Sequence, residues 1–282
     1  FKPLLDAGIK VLVVPGDKDV NNVTATKFNG ETTEAVETVT PAEFASIYAD
    51  YGYGTAVSRD ETTLSYMSYP TRNLAVLALD ACLYNQNGWK EVVKDDGTME
   101  TVANVVAEGA LTEATLNWAA NAVKEAHATD RQVVVMMHHL VTEPFNGYAT
   151  LGNVVNNTDK IDLIGSILGG GASDTPEGEE GEEVVLTTTD VQDALGEMGV
   201  DVVFCGDVNA TDAQMVVTTL GKTLYQVATC GATAYNCPER LVTMSDEGLD
   251  IQTRNLSQLA VPELEEPFET YPYNATSVAL KN

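Results

Sequence analysis

Positive charge is what this chain has least of. Its 282 residues hold 15 Lys and Arg against 42 Asp and Glu, a formal charge of −27. A surface of that sign repels a nucleic-acid duplex and an anionic bilayer, so neither is expected as a partner. Acids spread over solvated faces explain the excess without any ligand; cation capture or salt tolerance is the functional alternative. Long apolar runs are also absent: none approaches the ~20 residues that span a bilayer. Cysteine is scarce, and four are too few for a disulfide framework. Cys82 and Cys205 each end an apolar run and read as reduced core residues. Cys230 and Cys237 flank a loop short enough to close as a disulfide if the protein is exported. No Ser-His-Asp or Cys-His arrangement can be assembled, and His127 reads as a helix-end residue suited to the helix dipole.

What is present alternates. Strand-like runs occur at Lys10–Val14, Leu64–Tyr69, Leu74–Asp80, Gln132–Met137, Asp201–Cys205, Thr223–Thr229, Arg240–Ser245 and Leu249–Thr253. Helical spacing occurs at Pro41–Asp50, Thr112–His127, Asp159–Leu168 and Thr189–Met198. This alternation predicts the α/β class. After Asp201 the runs are short and separated by Gly, Asn and Pro, as in the hairpin half of a mixed-sheet sandwich. Gly169 to Glu183, rich in glycine and acid, reads as a mobile insertion, bounded here as 169–188. The domain is expected to span 1–258, and the Pro-, Glu- and Tyr-rich residues 259–282 a tail or linker.

Three apolar runs end in polar residues of chemical interest. Ile9 to Val14 is stopped by Pro15-Gly16 and followed by Asp17-Lys18-Asp19. Gln132 to Met137 ends in His138-His139, and Val202 to Cys205 ends in Gly206-Asp207-Val208-Asn209. In α/β proteins the carboxyl ends of strands are where ligands bind.

These segments, with Thr40-Pro41-Ala42-Glu43-Phe44, Ser58-Arg59-Asp60, Leu64-Ser65-Tyr66 and Leu77-Ala78-Leu79-Asp80 between them, resemble the calcineurin-like metallophosphoesterases. The resemblance runs in order over residues 1 to 255 and is to a secreted or envelope branch of Gram-positive bacteria. It implies an α-β-β-α sandwich of two mixed sheets, and two divalent metals (Mn, Fe or Zn) that clamp a phosphate and activate hydroxide. It places Asp17, His138 and Asp207 around one metal and Asn209 near the other.

The departures from the family pattern are as informative as the match. Asp17 stands where the family has a ligating Asn, and Lys18 where it has the His that assists the leaving group. Asp207 and Asn209 replace two ligand histidines, so only His138 keeps its family identity. The family's Asp-x-His and Gly-Asp strands do not appear in the sequence and are expected to be missing or supplied elsewhere. The expected arrangement has no dinuclear metal, with Lys18 in the place of the lost cation and paired to Asp207 or Asp17. That implies a binding or structural module of an extracellular or cell-envelope bacterial protein, partnered by other domains or chains of a surface assembly. The alternative is an active phosphoesterase with an altered site, such as one hard ion on Asp17, Asp207 and Asn209.

Overall fold

The computed structural model describes residues 1–29, 32–142, 186–232, 234, 237–245, 247–256 and 270. The expected helix Asp159–Leu168, nearly all of the expected insertion and the expected tail lie outside these residues.

Among the described residues the elements run in the following order. A short helix α1 (Lys2–Asp6) precedes the hairpin β1 (Thr26–Asn29) and β2 (Thr32–Ala35), then α2 (Pro41–Ile47). Next come β3 (Ser58–Arg59), β4 (Tyr66–Ser68) and β5 (Leu74–Leu79), followed by the hairpin β6 (Gly88–Val93) and β7 (Met99–Asn104). Helix α3 (Glu113–His127), β8 (Gln132–Met137), α4 (Thr188–Met198) and β9 (Val202–Cys205) follow. The series ends with β10 (Asp212–Val217), β11 (Thr223–Ala228), β12 (Pro238–Ser245) and β13 (Gly248–Asn255).

Seven strands form one mixed sheet in the order β10-β11-β9-β8-β5-β4-β3. Its four central strands, β11, β9, β8 and β5, are parallel, and the outer ones run antiparallel to their neighbours. The chain is therefore α/β, as the alternation predicts. Parallel pairing requires crossovers, and α3 supplies the one from β5 to β8. Thr112 accepts a hydrogen bond from the Thr115 N–H and starts that helix, which buries Leu116, Ala119, Ala122, Val123 and Ala126 at helical spacing. Thr187 and Asp190 form a capping box that starts α4, one residue before the expected Thr189. Together α3 and α4 cover one face of the sheet, on Leu77, Leu79, Val133, Val135 and Val203.

The opposite face has a separate, smaller core to which α2, β4, β5 and the loops between elements contribute. Val20, Phe44, Tyr53, Leu64, Tyr66, Ala78 and Tyr84 pack together there, with Leu12 and Val13 against them. Lys10–Val14, expected as a strand, is not one. Composition favours a strand, but a ladder needs a partner, and none of the described strands pairs with it. Val13 is fastened by other means: its N–H donates to the Tyr51 carbonyl at 3.0 Å, and its C=O accepts the Tyr66 hydroxyl at 2.8 Å. The hairpins β1–β2 and β6–β7 and the edge strand β10 were not expected. Both hairpins are largely exposed, so no apolar alternation marks them.

Candidate functional site

Strands β8 and β9 are parallel neighbours, with Val135 opposite Val203 and Met136 opposite Phe204. Whatever follows their carboxyl ends must therefore emerge side by side. His138 follows Met137 directly, and Asp207 follows Cys205 after one glycine; the Gly206 N–H donates to the His138 carbonyl at 3.0 Å. Asp207 (φ 61°) and Asn209 (φ 48°) are left-handed, a conformation Asp and Asn tolerate better than most residues. Asp17 arrives from the opposite layer on the loop after Val14. A Cβ on Gly16 would lie 3.2 Å from the His138 ring, so glycine lets this loop close down on the imidazole.

The three expected residues meet. His138 Nε2 lies 3.5 Å from Asp17 Oδ1 and 3.6 Å from Asp207 Oδ1. These are charge contacts rather than hydrogen bonds: Nε2 and Asp207 Oδ2 are both buried without a hydrogen-bond partner among the described residues. Burial disfavours the imidazolium, but Asp17, Asp207 and Asp19 outweigh it and raise the His138 pKa above its ordinary value. Burial likewise opposes ionisation of Asp17, yet His138 and Lys18 beside it hold its carboxyl below the usual range. Burial wins at Asp207, whose pKa is pushed up with help from Asp17 and against the pull of His138 and Lys18. Asp17 is thus the stronger of the two acids, and the His138 ring holds a proton more readily than an isolated imidazole does.

Lys18 does not enter the cluster. Its ammonium is 3.7 Å from Asp17 Oδ2, but its side chain is 72% exposed, so it sits at the rim. The expected pairing of Lys18 with Asp17 is present, but not in the position of a cation between the acids. The ring between Asp17 and Asp207 is that of His138, carried on the strand end, whereas Lys18 is exposed on the turn. Asn209 is not drawn in either: its carbonyl accepts the Cys230 thiol, and its Oδ1 lies against Gly231. Cys230 and Cys237 are both free thiols. Cys82 Sγ donates to the Pro15 carbonyl at 3.4 Å, tying the core to the Asp17 loop, and burial pushes its thiol pKa up.

His139 is the neighbour that sequence reasoning could not orient. It is fully buried, 3.2 Å through Nε2 from the Ala107 carbonyl, with Nδ1 unpartnered among the described residues. Burial first, then the His138 charge, lowers its pKa to about 4, so it is neutral near pH 7. Its ring lies flat on Gly109, where a Cβ would come within 2.4 Å of Cγ. Only glycine fits there, and nothing in the local sequence of Gly109 announces it.

The donor set decides which metals would fit. Ligand atoms of His138, His139 and Asp207 all lie within 4.8 Å of one another, enough for three sides of a single ion. Two ions about 3.5–4 Å apart need a second set of donors. Asp17 and, beyond it on the same loop, Asp19 are the further acids near His138, while Asn209 Oδ1 lies against Gly231 and Lys18 is at the rim. No protein-family model matches this chain, and no curated protein matches it.

Proposed function

We propose that this chain is a calcineurin-like metallophosphoesterase domain that no longer hydrolyses phosphoesters and acts as a binding or structural module of a secreted or cell-surface bacterial protein. In this reading the fold is the family's α-β-β-α sandwich of two mixed sheets. Its partners are other domains or chains of a surface assembly. The observation that carries it is His138 Nε2 between Asp17 and Asp207 at 3.5 and 3.6 Å, a basic group of the protein's own between two acids. When protonated, that ring repels a divalent ion and neutralises the charge that would attract one.

One observation favours a second reading, an active phosphoesterase with a single ion. Asp207 Oδ2 and His139 Nδ1 are buried and lack partners among the described residues, which leaves two lone pairs that an ion would satisfy. His138, His139 and Asp207 would hold it, and when bound it would supply Lewis-acid polarisation of a phosphoryl oxygen. The test is elemental analysis of the purified protein beside hydrolysis of an aryl phosphate ester with Mn, Fe, Zn, Mg or Ca added. Substoichiometric metal and no hydrolysis above buffer is the expected result. One equivalent of metal with metal-dependent hydrolysis selects the second reading, and two equivalents overturn both.

A further inference from the structure

From Ala213 to Gly221 the chain carries no ionisable group, although 20% of the whole sequence is charged. That stretch is most of β10 and the turn after it. β10 ends the seven-stranded sheet, and the other end is closed by β3, a strand of two residues that includes Arg59. A short, charged edge is a usual protection against pairing with another chain, and a longer neutral edge invites it. Met215 and Val217 are 61% and 62% exposed, beside Tyr225 of β11, which is exposed too. A groove between Leu12 and β12 lies over β5, β8 and β9, away from this edge.

The ladder with β11 decides which backbone groups of β10 are free. Val216 pairs with Leu224, Gln214 with Gln226 and Asp212 with Ala228. On the far side of β11, the N–H groups of Tyr225 and, just past the strand, Thr229 donate to the Asp201 and Cys205 carbonyls. The odd-numbered residues of β11 thus bond toward β9, and the even-numbered ones exchange bonds with even-numbered residues of β10. The N–H and C=O groups of Ala213, Met215 and Val217 are left pointing outward. They make no hydrogen bond to another of the described residues.

We propose that β10 pairs with β10 of a second copy of this chain, antiparallel about a two-fold axis through Met215. Met215 then faces Met215 of the partner subunit, and Ala213 faces Val217 of the partner subunit. Every outward group of the three residues gains a ladder partner, and the free residues are spaced evenly about one centre, as a self-complementary interface requires. The strand ends match as well. Asp212 falls opposite Thr218 of the partner subunit, with Lys222 of the partner subunit one place further across the turn. Asp212 Oδ2 is buried without a hydrogen-bond partner among the described residues, and neither Asp212 nor Lys222 has an ion pair among them. Pairing sets a hydroxyl beside that carboxylate and brings each acidic strand end toward a basic one. The neutral middle keeps the acids of two strongly negative chains out of contact. None of these residues belongs to the His138 cluster, so the two sites are tested apart.

Three paired residues a side make a small interface, so the dimer is expected to be reversible, with a Kd on the order of 10 µM. The check is sedimentation velocity of the purified protein from about 1 to about 200 µM. A dimer fraction that rises with concentration is expected, with exchange of the Ala213, Met215 and Val217 amides slowed about ten-fold at the upper end. Val217→Glu sets an acid against Ala213 of the partner subunit on each side of the axis and is expected to weaken the dimer about ten-fold. Adding Ala213→Lys to that variant pairs opposite charges across the interface and is expected to recover most of the loss. Within one chain the two positions lie about 13 Å apart along the strand, so recovery reports the register between copies. Both sites are exposed, so the dilute variants are expected to melt with the unaltered protein. Val93→Glu, on the exposed β6–β7 hairpin, is expected to leave association unchanged. A monomer throughout, a dimer indifferent to Val217→Glu, equal weakening by Val93→Glu, or no recovery in the double variant overturns the proposal. So does slow exchange of the three amides in the dilute monomer, which assigns the edge to a cover within the chain.

Discussion

Two clusters of polar side chains are buried in this molecule, and they are finished to different degrees. Around Asp80 and Asp60 every carboxylate oxygen is satisfied. Asp80 Oδ1 accepts from the Cys82 N–H, and Oδ2 from the Leu64 N–H and the Tyr84 hydroxyl at 3.0 and 2.9 Å. Asp60 accepts from the Thr62 N–H and from the hydroxyls of Thr62, Thr63 and Thr115. Around His138 the groups face one another by charge alone, with Nε2, Asp207 Oδ2 and His139 Nδ1 unbonded among the described residues. Both clusters are built around aspartates. Completed acids hold loops in place, whereas uncompleted groups retain capacity to receive a ligand, water or proton.

The largest effect that would sharpen this contrast is at Asp80. Asp80→Ala strands the Leu64 and Cys82 amides and the Tyr84 hydroxyl, and the expected loss is on the order of 3 kcal/mol or more in urea unfolding. A loss below about 1 kcal/mol would erase the distinction between the clusters. Asp60 gives the next effect and a pH signature. Burial opposes its charge, but the threonine hydrogen bonds outweigh it and hold its carboxyl below the usual range. A folded pKa below the unfolded one gives stability that is present above about pH 4 and lost as pH falls through the folded pKa. Asp60→Asn is therefore expected to flatten the acid limb of melting temperature against pH; an unchanged limb would remove Asp60 from the completed cluster. Lys18→Ala gives the smallest effect, about 0.5 kcal/mol or less, because its ion pair with Asp17 is exposed. A loss of several kcal/mol would restore Lys18 as the buried counter-charge and His138 as its accessory.

Much of the site's placement is legible in the sequence because it follows from strand ends. The β-branched runs before His138 and Gly206 stop where the strands stop, and parallel pairing then brings His138 and Asp207 together. The same signal at Lys10–Val14 does not produce a strand, since apolar content is local whereas a ladder partner is not. His139 on Gly109 and Tyr84 on Asp80 depend on contacts between loops, which no spacing rule reaches. The rank of Lys18 and His138 was illegible for a similar reason: charge type is written in the sequence, but burial is not. The hairpins β1–β2 and β6–β7 lack a buried face, so the pattern that reveals strands elsewhere has nothing to record.

The fastening of Val13 has a mechanical meaning. The segment that carries Asp17 is not woven into a sheet but tethered at either side, by Val13 to the Tyr51 carbonyl and the Tyr66 phenol, and by buried Val20, whose carbonyl accepts the Asn87 amide. Asp17 lies on the loop between these points, restrained before it by the Cys82 thiol on Pro15. The sheet fixes His138 and Asp207 relative to each other, so the spacing within the cluster is set by this loop. Opening or closing it costs the rearrangement of a loop, not the breaking of a ladder.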